Sequence, residues 1–140
     1  MKCLGLDLGT KTLGLAISDS LGLIASPYKV IRYEDINILV KEVLEIVEKE
    51  KIEVLVLGLP KNMDNSMGFA SERSLNFKKL LEEATDKRVV LVDERLSTVE
   101  AENILIGADV SRKNRKKVID EMAAAIILDT YLRMGDKDGK

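Results

Sequence analysis

Histidine is absent from all 140 residues of this chain, and its absence removes the commonest side-chain acid and base. No Ser-His or Cys-His nucleophile pair can be built. Cysteine occurs once, at Cys3, so no internal disulfide can form, and a lone thiol in an apolar strand reads as buried and inert. No apolar run approaches the roughly 18 residues of a membrane span. The opening Met1-Lys2-Cys3-Leu4-Gly5-Leu6-Asp7 meets an acid too early for a signal peptide, so a cytoplasmic setting without a membrane partner is expected. Strong net charge is lacking too: the formal value is −2, which by itself announces no polyanionic partner. Neither a repeat nor a linker interrupts the chain, and its length fits one domain over residues 1–140.

What is present is a globular composition, 46% hydrophobic and 33% charged, with clear periodicity. Residues 2–8 and 13–18 alternate as strands around the turn Gly9-Thr10-Lys11-Thr12, and residues 27–33 can add a third antiparallel strand. From the capping residue Asp35, the spacing of Ile36, Leu39, Val40, Val43, Ile46 and Val47 predicts a helix to about residue 51. Residues 54–57 form an all-apolar run ending in Gly58-Leu59-Pro60, as a buried parallel strand does. A polar loop over 61–68 follows. Ser66 is expected to cap a helix that buries Ala70, Phe77, Leu80, Leu81 and Ala84. Residues 88–93 read as another strand, Ser97 or Thr98 as the cap of a helix through Ile106, and residues 115–134 as a final helix behind a basic loop. This order predicts a mixed sheet covered by helices.

Three acids interrupt the apolar pattern. Asp7 sits inside Cys3-Leu4-Gly5-Leu6-Asp7-Leu8-Gly9, Glu94 ends Val89-Val90-Leu91-Val92-Asp93-Glu94, and Asp120 shares the stripe of Ala124, Ile127 and Tyr131 by helical spacing. Singly, each can be an ordinary strand-end or helix-start residue. Together they would form an oxygen-lined pocket, since desolvated carboxylates need a cation or donors, and a hard divalent ion such as Mg²⁺ or Mn²⁺ suits them. Ala123, Ala124 and Ala125 would let the final helix approach the sheet closely. Arg112, Lys113, Arg115, Lys116 and Lys117 place five cations just before Asp120, either as solvated charge or as a phosphate contact.

The segment Asp7-Leu8-Gly9-Thr10-Lys11-Thr12-Leu13-Gly14-Leu15-Ala16-Ile17-Ser18-Asp19 resembles the opening motif of the YqgF family, also called RuvX. Three further segments agree in order and spacing: Gly58-Leu59-Pro60-Lys61-Asn62-Met63-Asp64, Asp93-Glu94-Arg95-Leu96-Ser97-Thr98-Val99-Glu100-Ala101, and Val118-Ile119-Asp120 with residues 123–128. Asn65 departs from the glycine often found there. Asn tolerates a left-handed turn, so the change touches only the loop's shape. The resemblance implies a ribonuclease H-like fold, a mixed five-stranded sheet with helices on both faces. It also implies a nuclease whose acids correspond to Asp7, Glu94 and Asp120, acting in 5′-end processing of the small-subunit (16S) ribosomal RNA precursor or on Holliday junctions.

Phosphodiester hydrolysis needs an activated water, an in-line leaving oxygen and relief of negative charge, which two metal ions about 4 Å apart can supply. Asp7 is the expected bridging ligand, with Glu94 and Asp120 on either side and Asp93 and Asp19 as alternates. Thr10, Lys11 and Arg95 are candidate phosphate contacts; Lys11 can equally be a solvated turn residue and Arg95 a partner for a neighbouring acid. The expected partners are nucleic acid, precursor ribosomal RNA before branched DNA, and ribosomal assembly partners. Two rival readings use the same residues. An actin-like or sugar-kinase ATPase would hold phosphates on the first hairpin but pairs two such domains. A nucleic-acid-binding assembly factor would keep its ion for structure alone.

Overall fold

Three antiparallel strands open the chain: β1 (Cys3–Leu8), β2 (Thr12–Ser18) and β3 (Ala25–Arg32). The computed structural model describes residues 1–60, 68–93 and 112–134, giving only the backbone course of residues 69, 70 and 112–121. Helix α1 (Ile36–Glu50), strand β4 (Val54–Leu59), helix α2 (Phe69–Ala84), strand β5 (Arg88–Asp93) and helix α3 (Arg112–Met134) follow. The helix expected between Ser97 or Thr98 and Ile106 lies outside the described residues. All five strands join one sheet in the order β3-β2-β1-β4-β5. β1 pairs antiparallel with β2 and parallel with β4, and β4 pairs parallel with β5. Central β1 is thus flanked on both sides, and its tightly apolar sequence follows from that position.

Alternation along the strands divides the core into two layers. Leu4, Leu6, Leu8, Leu13, Leu15, Leu55, Leu57 and Val89 face α1 and α2, meeting Leu39, Val43, Phe77 and Leu81. Cys3, Ala16, Val54, Val56 and Val92 face α3, meeting Ala124, Ala125, Ile127, Leu128 and Tyr131. Each large side chain buried in these layers stabilises by about 1.5–3 kcal/mol. Helix α1 starts as its spacing predicts, the Asp35 carboxylate accepting from the Asn37 amide at 2.8 Å. It stops at Lys51, whose left-handed backbone (φ 58°) turns the chain into β4.

Several expectations need correction. The cap position of α2 is Gly68, not Ser66, and that helix buries Ser71 and Ser74 while Ala84 is exposed. Ser71 is held by the Pro60 carbonyl, to which its hydroxyl donates. Phe77 and Leu81 are buried as expected, while the first turns are anchored by serines that no apolar period marks. The run from Arg112 to Lys117 is not a loop: it forms the first turns of α3. Lys and Arg are good helix formers, so the helix grows toward its N-terminus from the half that packs.

Candidate active site

Asp7 lies at the carboxyl end of β1, directly opposite Gly14 of β2. A Cβ placed on Gly14 would stand 3.8 Å from the Asp7 Cβ and 3.9 Å from the Ala124 Cβ. Asp7 therefore occupies the sheet face covered by α3, beside Ala124. Gly5, two residues earlier on the same face, touches the helix more closely: a Cβ there would come within 2.7 Å of the Ala124 carbonyl oxygen and 2.8 Å of the Leu128 Cβ. Farther back, Gly22 stands close to both the Met1 carbonyl and the end of the Leu132 side chain. These contacts set the direction of α3, which runs against β1. Moving from Gly5 to Asp7 advances about 6.6 Å along the strand, the rise of about one helical turn. The backbone of Asp120, one turn before Ala124, accordingly lies on the Asp7 side of the contact.

Asp7 is half-buried, and among the described residues its carboxylate has no hydrogen-bond or ion-pair partner. A carboxylate at the edge of an apolar layer is costly to leave in that state. Sheet register brings β5 to the same level. Leu6 aligns with Leu57 of β4 and Leu57 with Leu91 of β5, so Asp7, Gly58 and Val92 stand in one row. That row lies at the carboxyl ends of the parallel strands, the usual position of sites in open α/β sheets. A cavity of about 810 Å³ between the ends of α1 and α2 is at the opposite end of the sheet. It takes no part in the site.

Residues 1–134 match the family described as RuvX, Holliday junction resolvase. The chain belongs to that family. A relative from Geobacillus sp. is 49% identical over 134 residues, covering 94% of this chain and 97% of its own, and is named as a candidate pre-16S rRNA nuclease. A Staphylococcus carnosus relative with the same description is also 49% identical, covering 94% of both chains. Among solved structures, Thermus thermophilus RuvC in complex with Holliday junction substrate is similar at a TM-score of 0.58 and 17% identity, over 96% of each chain. The yeast mitochondrial Holliday junction resolvase Ydc2 matches at 0.55 and 14%, over 94% of this chain and 77% of its own. These likenesses show a shared fold, ribonuclease H-like, with a mixed five-stranded sheet. Membership of the RuvX family over residues 1–134 sets the ATPase rival aside.

The other expected site residues fall into three groups. Glu94 and Arg95 follow the last residue of β5 and lie outside the described residues. Asp120 and the cations Arg112, Lys113, Arg115, Lys116 and Lys117 belong to α3, with only their backbone described. Thr10 and Lys11 are exposed in the β1–β2 turn, three and four residues past Asp7. Among the described residues no three His, Cys, Asp or Glu side chains gather as a metal-binding group. Both alternate ligands are displaced. Asp19 sits at the far end of the hairpin, where its carboxylate accepts from the amides of Leu23 at 2.7 Å and Ile24 at 3.0 Å. Those amides, Ile24 foremost and then Leu23, hold its pKa below the ordinary 3.8. Asp93 follows Val92 in β5, so alternation turns it away from Asp7 and toward the α1–α2 layer.

Tyr33 was not legible as a site residue. Its amide donates to the Lys11 carbonyl at 2.9 Å, and its hydroxyl donates to the Gly9 carbonyl. An aromatic between Arg32 and Glu34 gives no sign of reaching back 24 positions to the first turn.

Proposed function

We propose that this RuvX chain, as one ribonuclease H-like domain, is a metal-dependent nuclease that hydrolyses phosphodiester bonds at the 5′ end of the precursor of 16S ribosomal RNA. Asp7 carries this reading: a half-buried carboxylate with no protein partner among the described residues, at the carboxyl edge of the central strand, on the face that α3 covers. An acid in that position fits a hard cation better than any side-chain partner among the described residues. Glu94 and Asp120 complete the oxygen donor set. Val90 and Val92 belong to the α3 layer, and the pleat's period of two would carry residue 94 to the same face if β5 continued. Asp120 stands a turn from Ala124 on the Asp7 side, with the small residues that allow close approach.

Mg²⁺ or Mn²⁺, two ions in this reading, would supply charge relief at the scissile phosphate and an acidified water. The chain's own residues bind and orient. Lys11 and Arg95 would meet phosphates next to the acids, and the five cations at the start of α3 would meet the more distant backbone. Their placement supports that role. Cations at a helix N-terminus oppose the helix dipole, and the first turn of α3 holds no acid to offset them, whereas substrate phosphates would. No helix among the described residues is long and apolar enough to cross a membrane. Work on ribosomal RNA accords with the description its relatives bear, and a cytoplasmic setting with ribosomal assembly partners is part of this proposal.

A second substrate, the four-way DNA junction, is favoured by the family description and by the fold shared with RuvC bound to its junction. One comparison separates the readings: cleavage of a 16S precursor 5′ fragment, a four-way DNA junction and plain single strands, each with Mg²⁺, Mn²⁺ or chelator. Faster cleavage of the RNA precursor is expected. Asp7→Asn, Glu94→Gln or Asp120→Asn should each lower turnover about a hundredfold or more while binding persists. Wild-type rates in excess chelator, or an active Asp7→Asn protein, would sink the proposal. Metal-dependent cutting of the junction alone would move the substrate to DNA.

A further inference from the structure

We propose that Tyr33 is a positioning residue for the substrate, clamping the β1–β2 turn so that Lys11, four residues past Asp7, is held ready for a phosphate. The inference rests on the reading of Lys11 as a phosphate contact. The turn that carries Lys11 is short: β1 ends at Leu8, β2 begins at Thr12, and the Gly9 amide closes the loop on the Thr12 carbonyl at 2.8 Å. Thr10 and Lys11 project from it, exposed, and Lys11 has no ion-pair partner among the described residues. A flexible lysine with nothing to hold it loses much rotational freedom on meeting a phosphate, so any rigidity must come from the backbone beneath it.

Tyr33 supplies that rigidity from two directions. Thr12 pairs with Arg32, and the ladder extends one step as the Tyr33 amide donates to the Lys11 carbonyl at 2.9 Å. The ring packs against the layer formed with α1 and α2, while its hydroxyl donates to the Gly9 carbonyl. One residue anchored in the core thus fixes both ends of the Gly9–Lys11 step, the Lys11 end through its amide and the Gly9 end through its hydroxyl. Gly9 is also two residues from Asp7, so the clamp sets the turn against the strand that carries the acid. Burial raises the phenol's pKa above its ordinary 10.0, with Arg73 acting in the opposite direction. The hydroxyl therefore keeps its proton, and its donor role, throughout the neutral range.

The test uses four full-length proteins: wild type, Tyr33→Phe, Lys11→Ala and the double variant. Affinity is read by fluorescence anisotropy on a labelled RNA duplex with a single-stranded 5′ extension, and KM and kcat by cleavage of the same RNA with Mg²⁺. Tyr33→Phe keeps the ring and the backbone bond, so the fold is retained. It should raise Kd and KM about three- to tenfold with kcat within about twofold of wild type, and the double variant should bind no worse than Lys11→Ala alone, because a residue acting through another is non-additive with it. Additive losses, or a Tyr33→Phe protein with a lower melting temperature and unchanged Kd, would overturn the assignment. So would an equal Kd for all four proteins. Binding is read without turnover, so failure of the acids as the reactive centre, seen as an active Asp7→Asn protein, is distinct from failure of the clamp.

Discussion

Gly5 and Ala124 hold the sheet and the last helix in direct backbone contact: a Cβ added at Gly5 would sit 2.7 Å from the Ala124 carbonyl oxygen. Asp7 is one pleat farther along β1 and Asp120 one turn farther back along α3. The closeness of this crossing therefore governs how near those two acids come.

Gly5→Ala should be strongly felt. Its nearest neighbours would be main-chain oxygen and the Leu128 Cβ, neither of which can swing aside, so the helix itself must shift. A destabilisation of about 1–3 kcal/mol is expected in urea unfolding, the usual cost of overpacking. Gly14→Ala is the control, since its new Cβ would meet only ordinary neighbours at 3.8 and 3.9 Å. Equal destabilisation of the two variants would contradict the geometry.

Asp19 should contribute stability only when ionised. Its folded pKa lies below 3.8 because the Ile24 and Leu23 amides donate to the carboxylate. A depressed acid contributes fully above its unfolded pKa, and that contribution is lost as pH falls through the folded value. The gap in urea midpoint between wild type and Asp19→Ala should be constant near neutrality and shrink below pH 3.8. Direct NMR titration of the carboxyl group, returning an ordinary pKa, would refute this.

Replacing Arg112, Lys113, Arg115, Lys116 and Lys117 together by Gln should weaken nucleic-acid binding and flatten its salt dependence. For every phosphate that the protein no longer neutralises, the slope of log K against log salt should become shallower by about 0.7–0.9. Titrations over a salt series measure it. An unchanged slope would mark the start of α3 as solvated charge with no part in binding.

Asp120→Asn should leave the metal-free protein at least as stable as wild type, because in the proposed site it would relieve repulsion among three carboxylates while nearly preserving shape. Added Mg²⁺ should raise the melting temperature of wild type more than that of the variant, by preferential binding to the folded state. Melts of both proteins in chelator and in Mg²⁺ give the answer. Strong destabilisation of the variant in chelator would make Asp120 a structural hydrogen-bonding residue.

Much of the architecture was legible because it rests on local rules. The Gly9-Thr10-Lys11 turn, the period of α1 from Asp35 and the apolar run of β4 each declare their element through residues adjacent in sequence, and all three appear as expected. Helix boundaries were less legible where polar residues take part. Ser71 and Ser74 are buried on α2, and a burial period carried by serine escapes hydrophobic patterning. The basic start of α3 misled for the opposite reason: its run of polar residues reads as loop, although Lys and Arg favour helix once the packed half has formed.

The sequence by itself determined which groups can do chemistry. With no histidine and one buried cysteine, carboxylates are the remaining acidic ligands, and Asp7 is out of place in an apolar strand unless something meets it. Tertiary structure alone decided which acids could share a site. Asp19 and Asp93 are close to the motif residues in sequence, yet one is consumed by the amides of its own turn and the other follows the pleat to the wrong face. Tyr33 likewise reaches Gly9 only because three strands bring the ends of β1 and β3 together. Such relationships depend on register and on crossing direction. Those are set by the packing of whole layers, which no short stretch of sequence encodes.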